Sequence, residues 1–168
     1  MTIAKTVENY LAQKSVQYDV LTHTHSGSSD ETASAAHVSE DHIAKAVIVK
    51  DDSGYAMLIV PASHYVEMKH VRKELNRELE LVAEDEFAKL LPDCEPGAVP
   101  PIGPAYKIET FLDESFNSLA NVYFEAGDHE HLLHVKGDDF RTLLSGVRHG
   151  HFSHDKSHQA GHSKFYDN

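Results

Sequence analysis

The sequence predicts an α+β domain built on a mixed sheet. Two observations lead there. Short apolar or alternating runs of strand length recur between residues 18 and 135, and short helical patterns are interleaved with them. The length of 168 residues is one domain's worth, enough to bury a core without covalent staples.

Residues 3–14 read as a helix, with Ile3, Val7, Tyr10 and Leu11 at helical spacing. Tyr18-Asp-Val-Leu-Thr-His23 alternates as a strand does. Ser28-Ser-Asp-Glu31 is a capping box that opens a short helix through Ala33, Ala35 and Ala36. Residues 43–50 and 55–60 are strands. Asp51-Asp-Ser-Gly54 between them suits a hairpin turn, so the two are expected to pair. Residues 66–79 read as a charged helix and 85–91 as a shorter one. Pro92, Pro96, Pro100, Pro101 and Pro104, with Gly97 and Gly103, make residues 92–104 an ordered loop. Residues 106–112, 121–126 and 132–135 read as strands, and 138–144 as a closing helix. No internal repeat is visible. From about Arg148 the apolar residues thin out and histidines accumulate. Residues 148–168 are therefore expected to be a His-rich disordered tail behind a domain of residues 1–147.

Composition excludes several classes. The formal charge is -12 with histidines neutral, which repels nucleic acid at long range. Unspecific DNA or RNA binding is not expected, although a pocket can still grip one end of a nucleic acid. The single cysteine, Cys94, permits no disulfide within the chain and fits a reducing compartment. No segment approaches the ~18 continuous apolar residues of a membrane span. Met1-Thr-Ile-Ala-Lys5 lacks a hydrophobic signal core. The expected location is cytoplasmic, with no membrane partner.

Three segments carry candidate chemistry. In Ile43-Ala-Lys-Ala-Val-Ile-Val49, strand alternation puts Lys45 beside Ile43, Val47 and Val49 on a core-like face. Lysine is rarely buried without a partner, but it can also snorkel to water. Cys94-Glu-Pro-Gly-Ala-Val-Pro-Pro-Ile-Gly103 is stiff at its prolines and open at its glycines. It can bring backbone close to a ligand, or simply make tight turns. Ala126-Gly-Asp-His129 ends the strand Val122-Tyr-Phe-Glu125, so His129 is either a polar contact in a pocket or an exposed turn residue.

Together, in this order and at these separations, the segments resemble the YbaK/EbsC/ProX family of aminoacyl-tRNA deacylases, also found as the editing insertion of bacterial prolyl-tRNA synthetase. The likeness rests on Ala44-Lys-Ala-Val-Ile-Val49, on Gly97-Ala-Val-Pro-Pro101 leading to Gly103, and on Val122-Tyr-Phe-Glu-Ala-Gly-Asp-His129. Tyr18-Asp-Val with His23 fits the family's first strand. It covers roughly residues 1–147. The resemblance implies a mostly antiparallel, curved sheet with short helices around it. It also implies trans-editing hydrolysis of the ester of mischarged aminoacyl-tRNA. Lys45 matches the family's required lysine, a substrate anchor, and Gly127 would place a carbonyl near the attacking water. Ala46, Gly97, Pro101, Gly103 and His129 would line the substrate site. The implied partners are the acceptor end of a mischarged tRNA and an aminoacyl-tRNA synthetase. No cofactor and no Ser, Cys or metal nucleophile is implied. Ala46 stands where alanine-editing members often carry Asn, which leaves the edited amino acid open.

The charged helix carries Lys69, His70, Lys73 and Arg77 along one side, with Arg72 beside them. Lys69, Lys73 and Arg77 are the candidate tRNA contacts, although Glu67, Glu74 and Glu78 nearly balance them. Other chemistries fit less well. Cys94 lies between Asp93 and Glu95, which disfavours a thiolate. Ser28 and Ser29 lack a Gly-x-Ser-x-Gly elbow. Among the 14 histidines, His129, His131 and His134 do not gather on one helical or strand face, so no rigid metal site is expected. Two other functions remain open: a non-catalytic amino-acid or nucleotide-binding module of the same fold, and metal binding through the His-rich tail.

Overall fold

A computed structural model describes residues 3–25 and 28–156. Its elements follow in chain order: α1 (Lys5–Gln13), β1 (Asp19–Thr22), α2 (Ser29–Ala36), β2 (Ile43–Asp51), β3 (Gly54–Pro61), β4 (His64–Val66), α3 (Met68–Leu75), β5 (Glu80–Leu81), α4 (Glu84–Phe87), β6 (Glu109–Asp113), β7 (Asn121–Glu125), β8 (His131–Lys136), α5 (Gly137–Leu143), β9 (Arg148–Gly150) and β10 (Ser153–Asp155). The expected α+β class holds.

One sheet runs β1-β8-β7-β2-β3-β6-β9, with β5 paired on β2. It is mixed. The β1/β8, β7/β8, β2/β3 and β2/β5 pairs are antiparallel, and the β2/β7, β3/β6 and β6/β9 pairs are parallel. A separate two-stranded ribbon joins β10 to β4.

Both faces of β2 and β3 are covered, which explains their nearly unbroken apolar runs. One face packs Ala44, Ile48, Met57 and Ile59 against Val7 and Leu11 of α1, Phe140 of α5, and Val99 and Ile102 of the proline loop. The other packs Val47, Val49, Leu58 and Val60 against Val71 and Leu75 of α3 and against Phe152. A third, smaller cluster sets Ala33 of α2 over Ile43 and Ala62, with Tyr123 beside them. Val7 and Leu11 are wholly buried at i,i+4 spacing, each worth about 1.5–3 kcal/mol of hydrophobic burial. The N-cap half of the expected capping box forms: Ser28 Oγ accepts the Glu31 N–H at 3.2 Å. The expected hairpin forms as well, with Asp51 paired to Gly54.

Two expectations change. The helix expected over residues 66–79 is α3 alone, flanked by β4 and β5. Asn76 adopts the left-handed conformation and stops it. Val71, Leu75 and Leu79 imitate a continuing helix by their spacing, yet Leu79 reaches the same core from beyond the turn. Second, the tail does not begin at 148. Arg148–Gly150 adds an edge strand to the main sheet, and Ser153–Asp155 pairs with β4. Phe152, fully buried, anchors this segment. Residues 157–168 of the expected tail lie outside the described residues. No helix among the described residues is long and apolar enough to cross a membrane.

Candidate functional site

Two of the three segments meet at the end of β7. The chain leaves Glu125, turns through Ala126–Glu130 and returns as β8. Asp128 builds that turn from inside: fully buried, it accepts the N–H groups of Glu130 and His131, each at 3.0 Å, and pairs with His131 Nδ1. Burial acts to raise the Asp128 carboxyl, but these hydrogen bonds outweigh it and hold the group below its ordinary range. The proline loop docks onto the turn. The Glu95 N–H donates to the Gly127 carbonyl at 2.7 Å, and His129 Nε2–H donates to the Pro96 carbonyl at 2.7 Å. A carbonyl only accepts, so His129 carries its proton on Nε2. His129 holds a φ of +62°, a left-handed conformation costing about 1–2 kcal/mol outside glycine. Gly127, at φ +105°, lies so close to its neighbours that a Cβ would stand 3.0 Å from Ala4 Cβ and 3.2 Å from Cys94 Sγ.

The sheet brings the strand that carries Lys45 alongside β7. β2 and β7 run parallel, with Ile43 opposite Tyr123 and Ala44 opposite Phe124. One step further along are Lys45 and Glu125, on the face that Ile43 and Tyr123 occupy. The expected alternation is present: Val47 and Val49 go to one core and Ala44 and Ile48 to the other. Lys45 is half-buried. Its charge reaches His64, which burial, with Lys45 adding to it against nearby aspartates, drives below the usual histidine range.

Around Glu125 lies a group of polar side chains of which the sequence reading marks only His23, as fitting the first strand. Thr32 of α2 donates to Glu125 Oε1 at 2.9 Å. Burial pushes the Glu125 carboxyl up, opposed by Thr32 and by the nearby His23 and His129. His23 donates from Nδ1 to the Thr24 carbonyl at 2.7 Å, leaving Nε2 as an acceptor. His25 pairs with Glu95 Oε1 at 3.2 Å and lies 5.1 Å from the His129 ring. Within this group His23 Nε2, Glu95 Oε2 and Glu125 Oε2 are buried without a hydrogen-bond partner among the described residues. Such groups are rare and costly in a folded protein.

The remaining candidates are dispersed. Gly97 sits against the Glu84 carboxylate. Pro101 is buried. Gly103 is a packing glycine, since a Cβ there would overlap Thr110 Oγ1. Ala46 points to the opposite side of β2 from Lys45 and packs against the α1 core. Lys69 and Lys73 are exposed on α3. Arg77 lies beyond that helix rather than along it. It reaches Asp51 at 2.8 Å and Glu109 at 2.7 Å, a clamp across the sheet. Cys94 is raised to about 12, more by its burial than by Asp93, and is no nucleophile. His131 is engaged by Asp128. His134 stacks on Tyr123 at 4.6 Å and bonds Asn121 and Asp19, so these histidines hold no common ligand.

Comparison with known proteins places the chain. At 28% identity over 117 residues it is similar to a proline–tRNA ligase from Macrococcus caseolyticus, covering 63% of this chain and 20% of that one. The chain thus spans about a fifth of the length of the curated relatives it matches. Its fold is that of a hypothetical protein, APE2540, with TM-score 0.77, 21% identity, and 89% and 100% of the two chains covered. It is also that of a proposed trans-editing enzyme for prolyl-tRNA synthetase, with TM-score 0.74, 18% identity, and 90% and 96% covered. The family model for the aminoacyl-tRNA editing domain matches residues 23–143, from His23 through the proline loop and the β7–β8 turn to the end of α5. The chain belongs to the aminoacyl-tRNA editing domain family.

Proposed function

We propose that the chain is a trans-acting aminoacyl-tRNA deacylase whose site lies between Lys45 and the β7–β8 turn. The observation that carries the reading is the cluster of buried, unpartnered acceptors beside Glu125, within the segment the family model covers. An aminoacyl ester brings the matching donors: an α-ammonium and a ribose hydroxyl. Lys45 brings the complementary donor, suited to an ester carbonyl or phosphate oxygen.

In the reaction a water oxygen bonds to the ester carbonyl carbon. The bond from that carbon to the ribose oxygen breaks. The ribose oxygen takes up a proton, and the amino-acid carboxyl gives one up as it ionises. The ester is already activated, so positioning supplies most of what is needed. Lys45 anchors the substrate. The Gly127 carbonyl, although it already accepts from Glu95, keeps a second lone pair for a water. His129 and the loop at Gly97 frame the amino-acid side. Lys69 and Lys73 offer phosphate contacts on α3, and an aminoacyl-tRNA synthetase is the protein partner.

The test is release of amino acid from a panel of mischarged tRNAs. Hydrolysis of at least one, reduced about 10²-fold or more by Lys45→Ala, is expected. Hydrolysis of none, or an unimpaired variant, rejects the proposal. Saturable binding without turnover selects the binding-module alternative.

A further inference from the structure

On the opposite side of the molecule from α1, three histidines and a carboxylate converge. Glu67 and His70 flank the start of α3 at i,i+3 spacing, and His70 Nδ1 lies 3.0 Å from Glu67 Oε2. His154 of β10 directs Nε2 to the same Glu67 oxygen. One ligand atom from each of these residues falls within 4.8 Å of the other two. His151, in the turn before β10, completes a triangle of rings. Its centroid is 5.5 Å from His70 and 5.7 Å from His154, and those two are 5.7 Å apart.

We propose that this cluster is a binding site for a divalent transition-metal cation of the zinc type. Imidazole nitrogens with one carboxylate are the donor set such a cation prefers, whereas calcium and magnesium require oxygen-rich cages. A tetrahedral cation with ~2.0–2.2 Å bonds holds its ligands roughly 3.4 Å apart, which small rotamer changes here would supply. Both imidazoles that approach Glu67 already point a nitrogen at one spot. The net charge of -12 raises the local concentration of any cation. His151 also has Glu114 Oε1 at 3.6 Å, a second carboxylate for the outer shell.

The ligands come from two places far apart in sequence, residues 67–70 and residues 151–154. Histidine spacing in the sequence therefore points to His151 and His154 in the His-rich segment but not to their partners Glu67 and His70. A cation bound there would fasten β10 to the start of α3 and so close the C-terminal segment onto the domain. This role is independent of the deacylase reading, since the site is built from different residues.

The experiment titrates chelator-treated, full-length protein with Co²⁺, then with Zn²⁺ in competition, and follows both the visible Co²⁺ bands and the Tm. One tight equivalent, with the intense absorption of a four-coordinate centre and a higher Tm with Zn²⁺, is expected. His154→Ala on β10 and His70→Ala on the exposed side of α3 should each abolish that equivalent. Their Tm in chelator, compared with the parent, shows that they fold. Replacing both His158 and His162 by Ala should leave binding intact. The proposal is overturned if the two single variants bind as the parent does. It is equally overturned if binding disappears in the His158/His162 variant, which would mean loose capture by the terminal histidines, or if only six-coordinate, weak Co²⁺ spectra are seen.

Discussion

Strand β2 carries a lysine near each end, and their surroundings differ. Lys50, at the far end, donates to Glu86 at 2.8 Å, and Tyr55 donates to the same carboxylate at 2.7 Å. Beside them Arg77 spans Asp51 and Glu109. These charges are matched within the protein. Towards the Lys45 end, the carboxylates of Glu125 and Glu95 and the imidazole of His23 each keep a buried atom without a partner among the described residues. The same strand thus has one end whose charges are matched within the protein and another beside the acceptors that the proposed function assigns to a ligand. Unsatisfied buried acceptors carry a stability cost, and function is a reason for a protein to keep them.

The largest effect that separates the two ends is expected from Glu125→Gln. The substitution keeps the size and the acceptor for Thr32 but removes the charge proposed to meet an α-ammonium. Deacylation should fall by about 10-fold or more, the worth of one charge-assisted hydrogen bond. Stability should move the other way. Burial raises the Glu125 pKa above its ordinary 4.5. Its favourable contribution is therefore complete below pH 4.5 and is lost as pH rises through the raised value. At pH 8 the variant should be the more stable, by about 2–4 °C in Tm, the shift that ~1 kcal/mol produces in a chain of this length. Calorimetry at pH 4 and pH 8 beside a rate assay checks both halves. A variant that loses Tm at pH 8 would show that Glu125 belongs to the paired, structural class.

How much of this was legible beforehand differs between fold and site. The helix at α1, the capping box at Ser28 and the hairpin at Asp51–Gly54 were readable, because each rests on contacts within a few residues. The strands β4, β5, β9 and β10 were not. Each is two or three residues long, and its place is set by partners distant in sequence. Among the residues of the proposed site, Lys45, Gly127 and His129 stood out by their company in a familiar order. Glu125 did not, and His23 did so only as part of the first strand, since alternation reveals the face a residue occupies but not which groups await it there. Arg77 was misplaced for the same reason: helical spacing suggested an exposed row, and the turn at Asn76 sends it to Asp51.

At the paired end, Asp51→Asn should cost several degrees of Tm and leave deacylation at 25 °C unchanged. The Arg77 hydrogen bond, aided by the Ser53 and Gly54 N–H groups against the cost of burial, holds the Asp51 carboxyl at about 2, below its ordinary 3.8. A depressed carboxylate stabilises fully above pH 3.8, and that contribution is lost as pH falls toward 2. The acid limb of the parent's Tm–pH curve in this window should flatten in the variant. An unaltered limb would mean that the clamp is solvent-screened and contributes little.

The smallest effect is expected just past the Lys45 end, at His64. Its ring bonds Ser153 Oγ at 2.7 Å and ties β4 to β10. Burial lowers its pKa below 6.5; Asp113, Asp155 and Asp41 oppose this, and Lys45 adds to it. A histidine held neutral in this way stabilises fully above pH 6.5 and loses that contribution as pH falls below it. In chelator, so that the Glu67 cluster is metal-free, the parent's Tm should drop slightly more than that of His64→Gln between pH 7.5 and 5.5. Glutamine can still reach Ser153, so the difference isolates protonation from the lost contact. Equal slopes would place His64 with the exposed histidines and leave the charge of Lys45 without influence on the C-terminal ribbon.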